Sequence, residues 1–198
     1  MSDMAPPHSQ KFNRGKFKEM VLYFAERSAE LKDDGFGMVK LNKLLYRADF
    51  EAYRTLGHAI TGETYERQEF GPVARDLPIV LDELGASGRL RWEHIPAGPH
   101  IRDVPNALDH DEAAPDWRVF SKDELSVMER ALTELATLGG KAASDWSHEQ
   151  SAGWNLARED GDEIAYRTAL ISTAPIPDEH LTYAAKLIKE KGWVAKAS

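Results

Sequence analysis

The chain contains no cysteine among its 198 residues, which excludes disulfides, thiolate nucleophiles and cysteine-ligated zinc. No apolar run approaches the length of a membrane span, and Met1 to Gln10, with Pro6 and Pro7, lacks the basic flank and apolar stretch of a signal peptide. A cytoplasmic protein with no membrane partner is expected. Basic charge is in deficit: 25 Lys and Arg against 33 Asp and Glu give a formal net charge of -8, which disfavours nonspecific adhesion to nucleic acid or membranes. A local basic patch remains compatible with that total. Neither Gly35-Phe36-Gly37 nor Gly57 to Gly62 has the strand-glycine-helix context and lysine of a phosphate loop. The seven histidines include no pair at helical i, i+4 spacing and no His-Glu-x-x-His, so no metal and no cofactor are expected. Ser147-His148-Glu149 has the letters of a triad, but adjacent helical side chains diverge by about 100° where a triad must converge.

What is present is a chain with 42% hydrophobic and 29% charged residues, suited to a globular fold. Its organising stretch is Met38 to Leu56. At the helical period Met38, Leu41, Leu44, Leu45, Ala48, Ala52 and Leu56 form one wide arc, extended by Val39, Tyr46, Phe50 and Tyr53. Only a narrow polar stripe of Lys40, Lys43, Arg47, Glu51 and Arg54 remains, which predicts a central helix packed on several sides. Asn42 and Asp49 project into the apolar arc, so both need shielded hydrogen-bond partners.

Before this helix, Phe17, Met20, Val21, Phe24 and Leu31 predict an amphipathic helix within Lys11 to Lys32. After it, Ala59-Ile60-Thr61 and Thr64 to Gln68 flank Gly62-Glu63, which predicts a β-hairpin with a type II′ turn. Tyr65, Arg67 and Glu69 would share one face of it. Pro72 is placed to open a helix carrying Val73, Leu77, Val80 and Leu84, with Pro78 bending it. Leu90 to His94 and His100 to Val104 predict a second hairpin about Pro96 to Pro99, followed by an acidic loop from Pro105 to Asp116. Trp117 to Phe120 would add a strand. Ser121-Lys122-Asp123-Glu124 is a capping box for a helix carrying Leu125, Met128, Leu132 and Leu135, stopped at Gly139-Gly140. Short helices are expected at Ala142 to Glu149 and Trp154 to Arg158, then a helix capped by Asp178. The sum is a mainly helical α+β domain around a central buried helix, with small antiparallel hairpins. Residues 11–192 would form one domain with a core of about 17–158 and a C-terminal helix at 178–190, between tails at 1–10 and 193–198.

Two readings of Asp49 stand side by side. It is either a perturbed acid or partner anchor, or a structural brace accepting hydrogen bonds from hairpin backbone, Tyr65 or Arg67; buried polar groups are more commonly the latter. Asn42 is read in the same way. The basic stripe is either a solvated face or a docking strip for an acidic partner. Trp92, Trp117, Trp146 and Trp154 are expected in the core.

Lys40-Leu41-x-Lys43-Leu44-Leu45-Tyr46-x-Ala48-Asp49, then Gly57-x-x-Ile60-Thr61-Gly62-x-x-Tyr65 and Gly71-Pro72-Val73, together resemble the Panacea, or SocA-like antitoxin, domain of bacterial and phage toxin-antitoxin systems. The resemblance covers about Phe17 to Trp154, with Ser147-His148-Glu149 and Trp154 as its closing segment. Arg47 stands where an apolar or aromatic residue is expected, and Gly153 where proline is common. The resemblance implies a non-enzymatic antitoxin that binds and neutralises a protein toxin encoded by an adjacent gene. The family's namesake delivers its toxin to the ClpXP protease, so an adaptor role with ClpXP as second partner is also implied. Tyr65, Arg67, Glu69 and Phe70 are the expected contacts, flanked by Arg47 and Arg54, with Asn42 and Asp49 as internal braces. The alternative is a DNA-binding autoregulator of its own operon, supported by the basic stripe and opposed by the net charge and by the lack of a separate reader module.

Overall fold

Met38–Leu56 is a single helix in the computed structural model, which describes residues 11–108, 114–174 and 177–191. It is α2 of a mainly helical α+β architecture. Leu41, Leu44, Leu45, Ala48 and Ala52 have no exposed surface, and helix α1 (Arg14–Glu30) contributes Phe17, Met20, Val21 and Phe24 to the same core. Each element has a local cause. Asn13 caps α1 by accepting a hydrogen bond from the Lys16 amide at 3.0 Å, and Gly57, at φ +81°, closes α2 in the left-handed conformation that glycine adopts without strain.

The expected hairpin about Gly62-Glu63 does not form. Gly62 does take a positive φ of +71°, but the backbone of Ala59 to Thr61 has other partners: the Thr61 amide donates to Asp49 at 2.8 Å and its carbonyl accepts from the Asn13 amide at 2.8 Å. The strand that follows pairs one step later instead. Strand β1 (Tyr65–Glu66) runs antiparallel to β2 (Val73–Ala74), in register Tyr65 to Ala74 and Glu66 to Val73. Val73 is therefore in a strand rather than in a helix opened by Pro72. Helix α3 (Leu77–Ala86) starts later, with Pro78 in its first turn, where a missing amide hydrogen costs nothing, so the proline starts the helix instead of bending it.

The second hairpin forms as expected, with longer arms. Strands β3 (Leu90–Ala97) and β4 (His100–Ala107) pair from Leu90 with Ala107 to Ala97 with His100. Pro105 thus lies in β4 rather than in a loop, and the acidic residues Asp109, Asp111 and Glu112 fall outside the described residues. Trp117–Val119 is a 3₁₀ turn capped by Asp116, not a strand. Ser121 and Glu124 make both bonds of the capping box at the start of α4 (Lys122–Leu135), which packs against α2. Helices α5 (Gly140–Gln150) and α6 (Ala152–Leu156) follow, then a 3₁₀ segment (Tyr166–Leu170) and α7 (Asp178–Lys191). The tryptophans divide. Trp146 and Trp154 pack on the core, whereas Trp92 and Trp117, expected inside, are each 38% exposed. Among the described residues no helix is long and apolar enough to cross a membrane. The tails at 1–10 and 193–198 lie outside the described residues.

Candidate partner-binding surface

Asp49 anchors the floor of the site from inside α2. It is fully buried and accepts from the Thr61 amide at 2.8 Å, the Thr61 hydroxyl at 2.5 Å and the Tyr65 hydroxyl at 2.9 Å. Tyr166 reaches the same carboxylate at 3.4 Å while donating to the Glu63 carbonyl at 2.6 Å. Burial pushes the Asp49 carboxyl up, and its hydrogen-bond donors pull it part of the way back. Asn42, two turns earlier, donates to the Met38 carbonyl and accepts from the Ala74 amide, both at 3.0 Å. Asp49 thus holds the approach to β1 while Asn42 holds β2. Tyr65, expected at the surface, is 1% exposed; its ring packs among Tyr46, Phe50 and Tyr166, where it has no access to a partner.

The other edge of β1 is held by a later segment. Ile164 donates its amide to the Tyr65 carbonyl at 2.8 Å, and Arg67 exchanges backbone bonds with Asp162 and Gly161 at 2.9 and 2.8 Å. Between β1 and β2 the chain turns through Gln68 to Gly71, closed by a 2.9 Å bond from the Gly71 amide to the Gln68 carbonyl. This turn presents Glu69 and Phe70 outward, with Phe70 62% exposed. Its backbone is pinned from outside the strands: Ser144 donates to the Phe70 carbonyl at 2.8 Å and the Trp154 indole to the Gln68 carbonyl at 2.9 Å. Gly71, at φ +97°, lies so close to Ser147 Oγ and Lys43 Nζ that a Cβ there would collide with both.

Arg67 does not reach Asp49. Its guanidinium pairs with Asp160 and lies 4.4 Å from the Trp154 ring centre, and the His148 ring stacks on that indole at 3.9 Å. The stack is absent from the sequence-based expectation, although Trp154 and His148 both belong to its closing segment. Ser147, beside His148, instead donates to the Ser144 carbonyl at 2.7 Å, so the Ser-His-Glu letters make no hydrogen-bonded triad.

The two lysines of the basic stripe of α2 are turned inward. Lys40, 1% exposed, is held by both Asp33 carboxylate oxygens at 2.7 Å; Lys43, 2% exposed, lies under Gly71 and donates to the Pro72 carbonyl at 3.1 Å. Desolvation lowers the Lys43 amine from 10.5 to about 7. Arg47 and Arg54 both bond to Glu51, and Arg47 also grips Glu134 and lies over Trp146. A cleft of about 50 Å³ between these arginines and α5 is large enough for a water or two. Helix α5 lies between the two places, touching Phe70 through Ser144 and Arg47 through Trp146. The structure therefore brings Arg67, Glu69 and Phe70 together on one turn, leaves Arg47 and Arg54 in an ion-pair cluster beyond α5, and moves Tyr65 inside. Glu63 was not singled out by the sequence. Its carboxylate accepts from the Thr64 and Asp76 amides, and burial raises it from 4.5 to about 7.

Among the described residues no group of His, Asp or Glu is arranged to hold a metal ion. What the geometry offers is a rigidly backed turn with an exposed aromatic side chain, a form suited to docking on another macromolecule. No curated protein and no solved structure gives a significant match to the chain. Residues 41–155, more than half of its length, match the antitoxin SocA-like, Panacea domain, and the chain belongs to that family.

Proposed function

We propose that this protein is the antitoxin of a toxin-antitoxin pair and neutralises a protein toxin, encoded by the adjacent gene, by binding it directly through the Arg67 to Phe70 turn. The observation that carries the reading is the family match over residues 41–155, which includes the whole of this turn. The turn's geometry supports the choice of surface. Phe70 is the exposed anchor, Arg67 and Glu69 supply polar contacts around it, and the backbone behind them is already ordered, so binding requires little further loss of freedom. Tyr65 acts beneath this surface rather than on it. Arg47 and Arg54 contribute at its flank through the Glu51 and Glu134 cluster. The activity is binding, not catalysis.

Co-expression with the adjacent gene tests the reading. The neighbour alone arrests growth, the pair grows, and the two proteins co-purify; a harmless neighbour that fails to co-purify overturns it. Phe70→Ala and Arg67→Ala test the surface: each weakens the complex by about 10-fold or more, Phe70→Ala with little change in melting temperature, since interface anchors typically contribute upward of 1 to 2 kcal/mol. Wild-type affinity in both variants would place the interface elsewhere. Adaptor action is proposed as the fate of the complex: toxin half-life in the presence of this chain lengthens when ClpX is removed, and an unchanged half-life would leave occlusion as the mechanism.

The autoregulator alternative loses its main support with the basic stripe, because Lys40 and Lys43 are buried and Arg47 and Arg54 are paired with glutamates.

A further inference from the structure

Helix α7 has the sequence of a packed helix in an unpacked position. Leu181, Ala184, Ala185 and Ile188 fall on one face at i, i+3, i+4, i+7 spacing, yet Leu181 is 51% and Ile188 48% exposed, and no residue of the helix is buried. The helix also lies beyond the family-matched residues 41–155. Close before it in the chain, α6 and the 3₁₀ segment at Tyr166–Leu170 border a groove of about 600 Å³. Leu156, Ala157, Ala165 and Ile171 give that groove apolar walls, and Leu156 and Ile171 remain 61% and 50% exposed. Its rim carries two bases, Arg158 and Arg167, and two acids, Asp162 and Glu163. Among the described residues Arg167 has no ion pair.

We propose that this groove is the docking site of α7 from the same chain, so that the helix is a strap with a released position, seen here, and a docked one. Three observations favour this occupant. The faces match in kind, since an apolar stripe containing two alanines allows close approach to a shallow apolar wall. The charges match as well: α7 begins with Asp178 and Glu179 and ends with Lys189 and Lys191, against a rim that offers both signs. The tether is also short enough to keep them together. Ile171 lines the groove and Asp178 starts the helix seven residues later, a reach of at most about 25 Å, so the helix stays at high effective concentration over the groove. Docking would put α7 next to Arg67, whose backbone bonds to Asp162 and Gly161 adjoin the rim, and would therefore change the border of the candidate toxin surface.

The natural absence of cysteine makes the test direct, and it needs no toxin, so its outcome is independent of the antitoxin reading. Ala157→Cys with Ala185→Cys places one thiol in the groove and one on the stripe; Thr133→Cys with Ala185→Cys is the control on the outer face of α4. In dilute full-length protein under mild oxidation, the groove pair forms an intramolecular disulfide at least about 10-fold faster than the control. Arg167→Glu slows that rate several-fold, and adding Glu179→Lys restores it. Equal rates for the two pairs, or a groove pair that yields only covalent dimers, would overturn the proposal; the dimers would assign the groove to a second copy.

Discussion

At the residue scale the buried polar groups make quantitative demands. Asp49 accepts from the Thr61 amide, the Thr61 hydroxyl and the Tyr65 hydroxyl, which have no water to turn to, and removing it leaves each unpaired at about 1 to 3 kcal/mol, with incomplete additivity. Asp49→Ala should therefore lower the unfolding free energy by roughly 3 kcal/mol, read as a lower urea midpoint; an unchanged midpoint would end its role as a brace. Glu63 and Lys43 carry the opposite kind of demand, because burial shifts both toward 7 and neither has an ion pair among the described residues. Glu63 is raised, so the folded state holds a proton between about pH 4.5 and 7 that the unfolded chain releases; its stabilisation is full below 4.5 and is lost as pH rises through 7. Lys43 is lowered, so the unfolded chain holds a proton between about pH 7 and 10.5 that the folded state lacks. Its penalty is absent above 10.5 and grows as pH falls toward 7. Together they place a shallow stability minimum near neutrality. Glu63→Gln should flatten the descending limb and Lys43→Met the ascending one, each raising stability at pH 7 by about 1 to 2 kcal/mol in thermal scans across pH.

At the element scale the turn bearing Phe70 depends on Gly71. A positive φ of +97° and the approach of Ser147 and Lys43 both exclude a Cβ, so Gly71→Ala should cost about 2 to 4 kcal/mol and weaken toxin capture along with stability. Unfolding midpoints and pull-down yields fall together if that is right, and an alanine variant with wild-type values in both would refute it. This turn also marks where the sequence was legible and where it was not. Helix α2 was readable to its ends because its apolar period and Gly57 are local signals. The capping box of α4 was equally plain. The first hairpin was misplaced because its local signal, a glycine before Glu63, is genuine but is overruled from a distance: Asp49 and Asn13 take the backbone groups that the expected strand needs. Val73 was read as helical for the same reason, since the amide that settles β2 answers to Asn42, which is remote in sequence. Arg67 and Glu69 were read as sharing one strand face with Tyr65; the structure instead buries Tyr65 and puts Glu69 and Phe70 on the turn after β1. The Arg67, Trp154 and His148 stack was not legible, because nothing local links residue 67 to 154.

At the scale of the whole molecule, charge decides which partners remain. The net charge of -8 opposes approach to a polyanion, and the exceptions that composition allowed for are absent where they mattered most. Lys40 faces Asp33 inside the protein, Lys43 is sealed beneath Gly71, and Arg47 and Arg54 point at Glu51 and Glu134. A DNA-binding surface needs several cations free to displace counterions from phosphates, and α2 supplies none that lack a glutamate or a burial penalty. The chain alone should therefore give no retardation of its own promoter fragment at about 150 mM salt and micromolar concentration, where even nonspecific binders with dissociation constants of about 1 to 100 µM begin to register. Retardation that weakens steeply with added salt would show a basic surface elsewhere in the molecule and revive the autoregulator. Retardation only in the presence of the toxin would instead assign the phosphate contacts to the complex, with this acidic partner setting how tightly that complex holds DNA.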